Sequence, residues 1–179
     1  MVPRAYLAGP EVFLPDAAER GAAKKAVCRE VGLEGVYPLD PLDGRVPEVD
    51  GLALFEHCLA LLDRCDLVIA NLTPFRGPSM DVGTAVEMGY ALGSGRPVYG
   101  YTNVATDYRE RVTTEPGWLV EDFGLVDNLM CEGTVRRAGG PVVRVAVAAD
   151  DPAERLADLT GFREVARRAA RDAAGRTPG

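Results

Sequence analysis

Two carboxylates six residues apart, Asp81 and Glu87, stand where a polar loop gives way to an apolar run. Glu87 lies among Val86, Met88, Tyr90 and Ala91, a setting in which an ionised side chain is costly unless it has a task. One chemistry that needs such a group is glycosyl transfer through a covalent intermediate, where a carboxylate attacks the anomeric carbon. Residues six apart do not share a helical face. The pair is therefore expected to line two sides of one pocket, one at a reacting centre and the other at a peripheral group. Asp81 also has an ordinary reading, as the N-cap of the helix that begins there.

Other residues nearby carry less specific signals. Gly9-Pro10 reads as a tight turn after a first strand, and it is not part of a G-x-G-x-x-G fingerprint. A P-loop lysine motif is missing as well, which argues against dehydrogenase, kinase and NTPase chemistry. Arg76-Gly77-Pro78-Ser79 reads either as a surface turn or as a substrate-facing loop. Phe13 is placed either to stack on a base or to pack in the core. His57 and Cys58 are neighbours, but adjacent helical residues point about 100° apart, so a Cys-His nucleophile is a poor reading. The four cysteines (Cys28, Cys58, Cys65 and Cys131) form no C-x-x-C pair, and His57 is the single histidine. Buried thiols in a reducing compartment follow, and no metal site is expected.

The elements that must hold these residues alternate along the chain. Strands are expected at residues 5–8, 35–37, 67–72, 97–101 and 142–147. Helices are expected at residues 16–31, from Asp50 with Leu52, Phe55, Leu59 and Leu62 at helical spacing, and at residues 82–92. Residues 39–49 and 102–116 read as loops, and residues 118–130 as partly helical. A closing helix covers about residues 152–174, and its arginines (Arg163, Arg167, Arg168 and Arg171) read as a solvated face. The near-continuous apolar run at residues 67–72 is that of a parallel strand covered on both faces. This α/β alternation predicts a doubly wound, flavodoxin-like parallel sheet of about five strands in the order 2-1-3-4-5. In such sheets ligands bind at the carboxyl ends of the strands, where Asp81 and Glu87 would lie.

A length of 179 residues fits one domain, residues 1–179, with the closing helix as an appendage. The chain is 47% hydrophobic, enough for a core, and its net charge of −7 argues against a nucleic-acid partner. A small, uncharged or weakly charged ligand fits better. The N-terminus lacks a long apolar stretch and no segment approaches about 20 apolar residues, so a soluble cytoplasmic protein without membrane association is expected.

Four ordered blocks resemble the nucleoside 2-deoxyribosyltransferase family: YLAGP from Tyr6, DLVIANLTPFRGPS from Asp66, DVGTAVEMGYALGSGRPV from Asp81, and DNLM from Asp127. The resemblance spans residues 5 to about 130. It implies transfer of a 2-deoxyribosyl group between nucleobases through a glycosyl-enzyme, with no cofactor. The nucleophile of D-x-G-x-x-x-E falls on Glu87, and a tyrosine that orients it falls on Tyr6. Asp81 and Asn128 fall where the family holds the sugar 5′-hydroxyl, and the same motifs add Gly9, Gly83 and Met130 to the substrate positions. In the family that asparagine comes from a neighbouring subunit, so the resemblance implies a homo-oligomer with shared sites.

Related nucleoside 5′-monophosphate N-glycosidases carry a serine at the position of Asp81, where a carboxylate would repel a phosphate. Asp81 with Asn128 therefore favours a free nucleoside, with N-glycosidase hydrolysis as the alternative. The chain departs from the family at one point of consequence. Eight residues before Asp66 the family has an aspartate that contacts the nucleobase, and here stands Cys58, a poor acid and a weak donor. The family's glutamine in the base pocket is also replaced, near Leu42. These losses leave room for a further reading, a non-catalytic nucleoside-binding module.

Overall fold

In a computed structural model, which describes residues 1–45 and 50–175, five parallel strands form one sheet in the order β2-β1-β3-β4-β5. They are β1 (Arg4–Ala8), β2 (Glu34–Val36), β3 (Leu67–Asn71), β4 (Val98–Thr102) and β5 (Val143–Arg144). Both β3 and β4 are buried along their whole length, the pattern of parallel strands covered on both faces. The expected order and all five strands are present. The last is shorter than its apolar run, because only Val143 and Arg144 pair in register with Tyr101 and Thr102.

Side chains alternate across the sheet. Leu7, Ile69, Tyr99 and Tyr101 meet α1 (Ala17–Glu30) and α7 (Thr160–Gly175) through Val27, Phe162, Val165 and Ala169. Tyr6, Ala8, Val68 and Ala70 meet the other layer through Leu61 and Leu62 of α2 (Gly51–Asp63), Met88 and Ala91 of α3 (Val82–Gly93), and Val135 of α5 (Leu129–Gly139). The chain leaves β1 toward β2 and leaves β3 toward β4, so the winding reverses between β1 and β3. Their carboxyl ends open the crevice that such a reversal creates.

Several expectations change. Residues 118–128 are irregular, and the helix expected there starts only at Leu129, where the Asn128 side chain accepts a bond from the Met130 amide. Residues 102–116 contain the one-turn α4 (Tyr108–Arg111). The closing helix is two helices, α6 (Pro152–Ala157) and α7. Asp158 turns extended between them and caps Thr160, while the buried Asn103 amide holds the carbonyls of Arg155 and Asp158. Of the loop expected at residues 39–49, residues 46–49 lie outside the described part. The stripe on α2 is real but faces outward at its start: Leu52 and Phe55 are exposed, and His57, Leu61 and Leu62 are the buried positions. The helix α3 is one-sided, although the apolar neighbours of Glu87 suggest a mostly buried helix. It turns Thr84, Met88 and Ala91 inward and leaves Val82, Val86 and Tyr90 exposed. Among the described residues no helix is long and apolar enough to cross a membrane.

Candidate active site

Three elements converge on Glu87. Tyr6, fully buried on β1, points to the α3 side of the sheet, and its hydroxyl donates to Glu87 Oε1 at 2.5 Å. Glu87 lies one turn and a half into α3 and is half-buried. Burial pushes its carboxyl up to about 7; the Asp81 charge pushes the same way, and the Tyr6 hydrogen bond opposes both. Burial also raises Tyr6 far above a phenol's ordinary range, with the Glu87 charge adding to it. From α2, the Cys58 thiol sits against the Tyr6 hydroxyl. Burial raises it first, Tyr6 pulls it down, and the Glu87 charge raises it again. Tyr6, Cys58, Glu87 and Asp81 are therefore one electrostatic cluster.

Asp81 does what an N-cap does. Its Oδ2 accepts from the Thr84 amide at 2.9 Å and the Thr84 hydroxyl at 3.1 Å, which leaves Oδ1 for another partner. Gly83 gives this carboxylate room, since a β-carbon there would come within 3.0 Å of Oδ2. Gly9 is also a matter of space. A β-carbon at Gly9 would meet Glu11 Oε2 at 2.2 Å and the Asn71 side chain at 3.1 Å. Phe13 is not a core residue: it is half exposed and stacks on Phe75, with centroids 5.5 Å apart and planes at 13°. The Arg76 guanidinium lies over both rings, 4.7 Å from one centroid and 4.6 Å from the other. These three bridge the crevice from the β1 loop to the β3 loop.

Among the described residues, no hydrogen bond joins Asn128 or Met130 directly to this cluster. The Asn128 side chain accepts from the Met130 amide at 3.0 Å and donates to Glu121 at 2.5 Å, and Met130 is exposed. The hydrogen bonds of the Asn128 side chain run to Met130 and Glu121, not to Glu87 or Asp81. Leu42 lies in a small turn closed against Arg45, and the His57 ring is engaged with the Asp40 carbonyl at 2.9 Å. Sequence reasoning missed the link between the two groups. Buried Asp127 accepts from Ser79 Oγ, from the Met80 amide at 2.8 Å and from the Asn128 amide at 2.8 Å. It thus ties the segment before Asn128 to the segment before Asp81. Its place beside Asn128 in the DNLM block was the available signal.

The sequence model of the nucleoside 2-deoxyribosyltransferase family matches residues 5–130. The chain belongs to that family. An uncharacterized protein of Schizosaccharomyces pombe is 35% identical over 168 residues, covering 78% of this chain and 80% of the relative. Among solved structures, a 2-deoxyribosyltransferase from Leishmania mexicana is 30% identical with a TM-score of 0.62, covering 72% of this chain and 85% of that one. A conserved protein from Enterococcus faecalis shares the fold at 21% identity and a TM-score of 0.52, over 87% of this chain and 98% of its own. Membership of the nucleoside 2-deoxyribosyltransferase family supports an enzyme of that type acting on small-molecule nucleosides.

One further cluster in this family member escaped the sequence reading. Glu11 and Lys24 form an ion pair that is almost wholly buried on the α1 side of the sheet. The Asn71 amide (2.7 Å) and the Tyr101 hydroxyl (3.2 Å) donate to the same Glu11 oxygen, and Lys24 lies over the rings of Tyr101 and Phe162. Nothing in the local sequence pattern distinguishes Lys24 from its exposed neighbours on α1.

Proposed function

We propose that Glu87 is the nucleophile of a deoxyribosyl transfer on nucleosides with a free 5′-hydroxyl. The observation that carries this reading is the 2.5 Å bond from Tyr6 to Glu87 Oε1. It fixes one carboxylate oxygen and leaves the other to attack. A carboxyl held near 7 is ionised in about half of the molecules at neutral pH, and its poor solvation keeps it reactive. Attack on C1′ expels the base and forms a covalent glycosyl-enzyme. A second base then attacks from the face the first one left, with net retention.

The free Oδ1 of Asp81 would take the 5′-hydroxyl, and its charge would exclude a 5′-phosphate. Asn128 would complete that subsite from a neighbouring copy. The exposed Leu52 and Phe55 on α2, Val82 and Val86 on α3 and Met130 on α5 support an oligomer, because such apolar faces mark contact surfaces. Phe13 would stack on the base.

Incubating deoxynucleosides with and without a second free base tests the reaction. Base exchange is expected, and release of free deoxyribose alone would make the enzyme a hydrolase. Glu87→Ala should lose at least about 10³-fold in turnover while folding normally; an active Glu87→Ala protein would refute the mechanism. Tight nucleoside binding with no base release would instead favour a binding module.

A further inference from the structure

The departing base needs help that Cys58 is ill suited to give. A neutral thiol raised by burial holds its proton, and this one packs on Tyr6. The other donors near the crevice are committed: Asn71 to Glu11, Ser79 to Asp127, His57 to Asp40, and Arg111 to the carbonyls of Pro78, Thr106 and Val126. Arg76 differs from all of these. Among the described residues its guanidinium has no hydrogen-bond or ion-pair partner, only the ring faces of Phe13 and Phe75.

The loop that carries Arg76 is also built to hold it. The Phe75 amide closes on Ser79 O at 2.9 Å, Arg111 grips Pro78 O at 3.1 Å, and Asp127 fixes Ser79 and Met80. Arg76 itself has φ +57°, a left-handed conformation that side chains avoid. Backbone strain of this kind collects at functional sites. An exposed cation is thus held on an aromatic ledge between the β1 and β3 loops, in the segment that leads into the helix bearing Glu87.

We propose that Arg76 is a catalytic residue that stabilises the leaving base as an anion, in place of an acid that would protonate it. The proposal rests on the deoxyribosyl-transfer reading above. As the Glu87 carboxylate oxygen bonds to C1′, the C1′–N9 bond of a purine nucleoside breaks and its electron pair enters the base. The N7 edge of that base, with O6 where present, lies against the guanidinium, whose fork matches such acceptors. Arginine keeps its own protons, and the base anion takes one from water. The chain has then replaced proton donation by a fixed charge, which acts without reorganisation when the bond breaks.

The test compares 2′-deoxyguanosine with 7-methyl-2′-deoxyguanosine, whose base already carries a positive charge and leaves neutral. Arg76→Gly removes the guanidinium and suits the positive φ, so its melting temperature should be no lower than that of the wild type. Single-turnover base release from deoxyguanosine should fall about 10²-fold in Arg76→Gly, and the loss with the methylated nucleoside should be at least about tenfold smaller. Arg76→Lys, which restores the charge without the fork, should recover part of the deoxyguanosine rate. Equal losses on both substrates, no loss on either, or a wild type that cleaves only pyrimidine deoxynucleosides would overturn the proposal while leaving Glu87's role intact. A wild type that cleaves no deoxynucleoside, or cleaves one without Glu87, would remove the underlying reading and the inference with it.

Discussion

At the scale of single residues, Glu87 carries opposite consequences for stability and for activity. Its folded carboxyl stands near 7, above its ordinary value of 4.5, because burial disfavours the charge. A raised carboxyl contributes stability at low pH that is lost as pH rises toward and through 7. Thermal melts should therefore show the wild type losing stability relative to Glu87→Gln between about pH 5 and 8. If Glu87 is the nucleophile, attack needs its ionised form, and base release should rise over the same window with an apparent pKa near 7. Tyr6→Phe removes the one contact that favours the carboxylate, and its acid limb should shift to higher pH. A limb that stays in place would mean Tyr6 does not act on Glu87. This cluster was legible in the sequence because Glu87 and Tyr6 sit in blocks whose order and types are specific. The stacking of Phe13 on Phe75 under Arg76 was not legible, since it depends on how two loops far apart in sequence approach one another.

Among elements, the alternation of short apolar runs with helical spacing was enough to give the sheet and its order, because parallel strands are buried on both faces and must be joined by helices. Boundaries set by single side-chain contacts were harder to read. The helix after residue 128 starts where Asn128 caps it, and the closing helix breaks where Asn103, distant in sequence, holds the end of α6. Asp127 is the same kind of contact, since it joins the α5 start to the loop that leads to Asp81. Asp127→Ala leaves the amides of Met80 and Asn128 without their acceptor, at a cost of about 1–3 kcal/mol in unfolding free energy. Chemical denaturation measures that cost. If the latch also sets the 5′ end of the site, KM for a deoxynucleoside should rise more than kcat falls. A protein that is destabilised but kinetically unchanged would confine Asp127 to folding.

For the whole molecule, the two faces of the sheet differ in what completes them. The α1/α7 face is closed from within by the Glu11–Lys24 pair and the side chains around it. Removing one charge strands the other in the core, so Lys24→Met should lose about 3–5 kcal/mol of stability, and Glu11→Gln with Lys24→Met together should lose less than Lys24→Met alone. The α2/α3 face is left open, with Leu52 78% and Val82 81% exposed. Helical periodicity announced the α2 stripe, but it could not say whether the stripe faces the sheet or a second copy of the chain. We expect a second copy. Leu52→Lys with Phe55→Lys places charges on that exposed surface, so a folded protein of lower mass should appear by sedimentation. If Asn128 completes the neighbour's site, base exchange should fall with the mass and return at protein concentrations that restore the oligomer. A wild type that sediments as a monomer, or a dissociated variant that keeps full activity, would show that each copy builds its site alone.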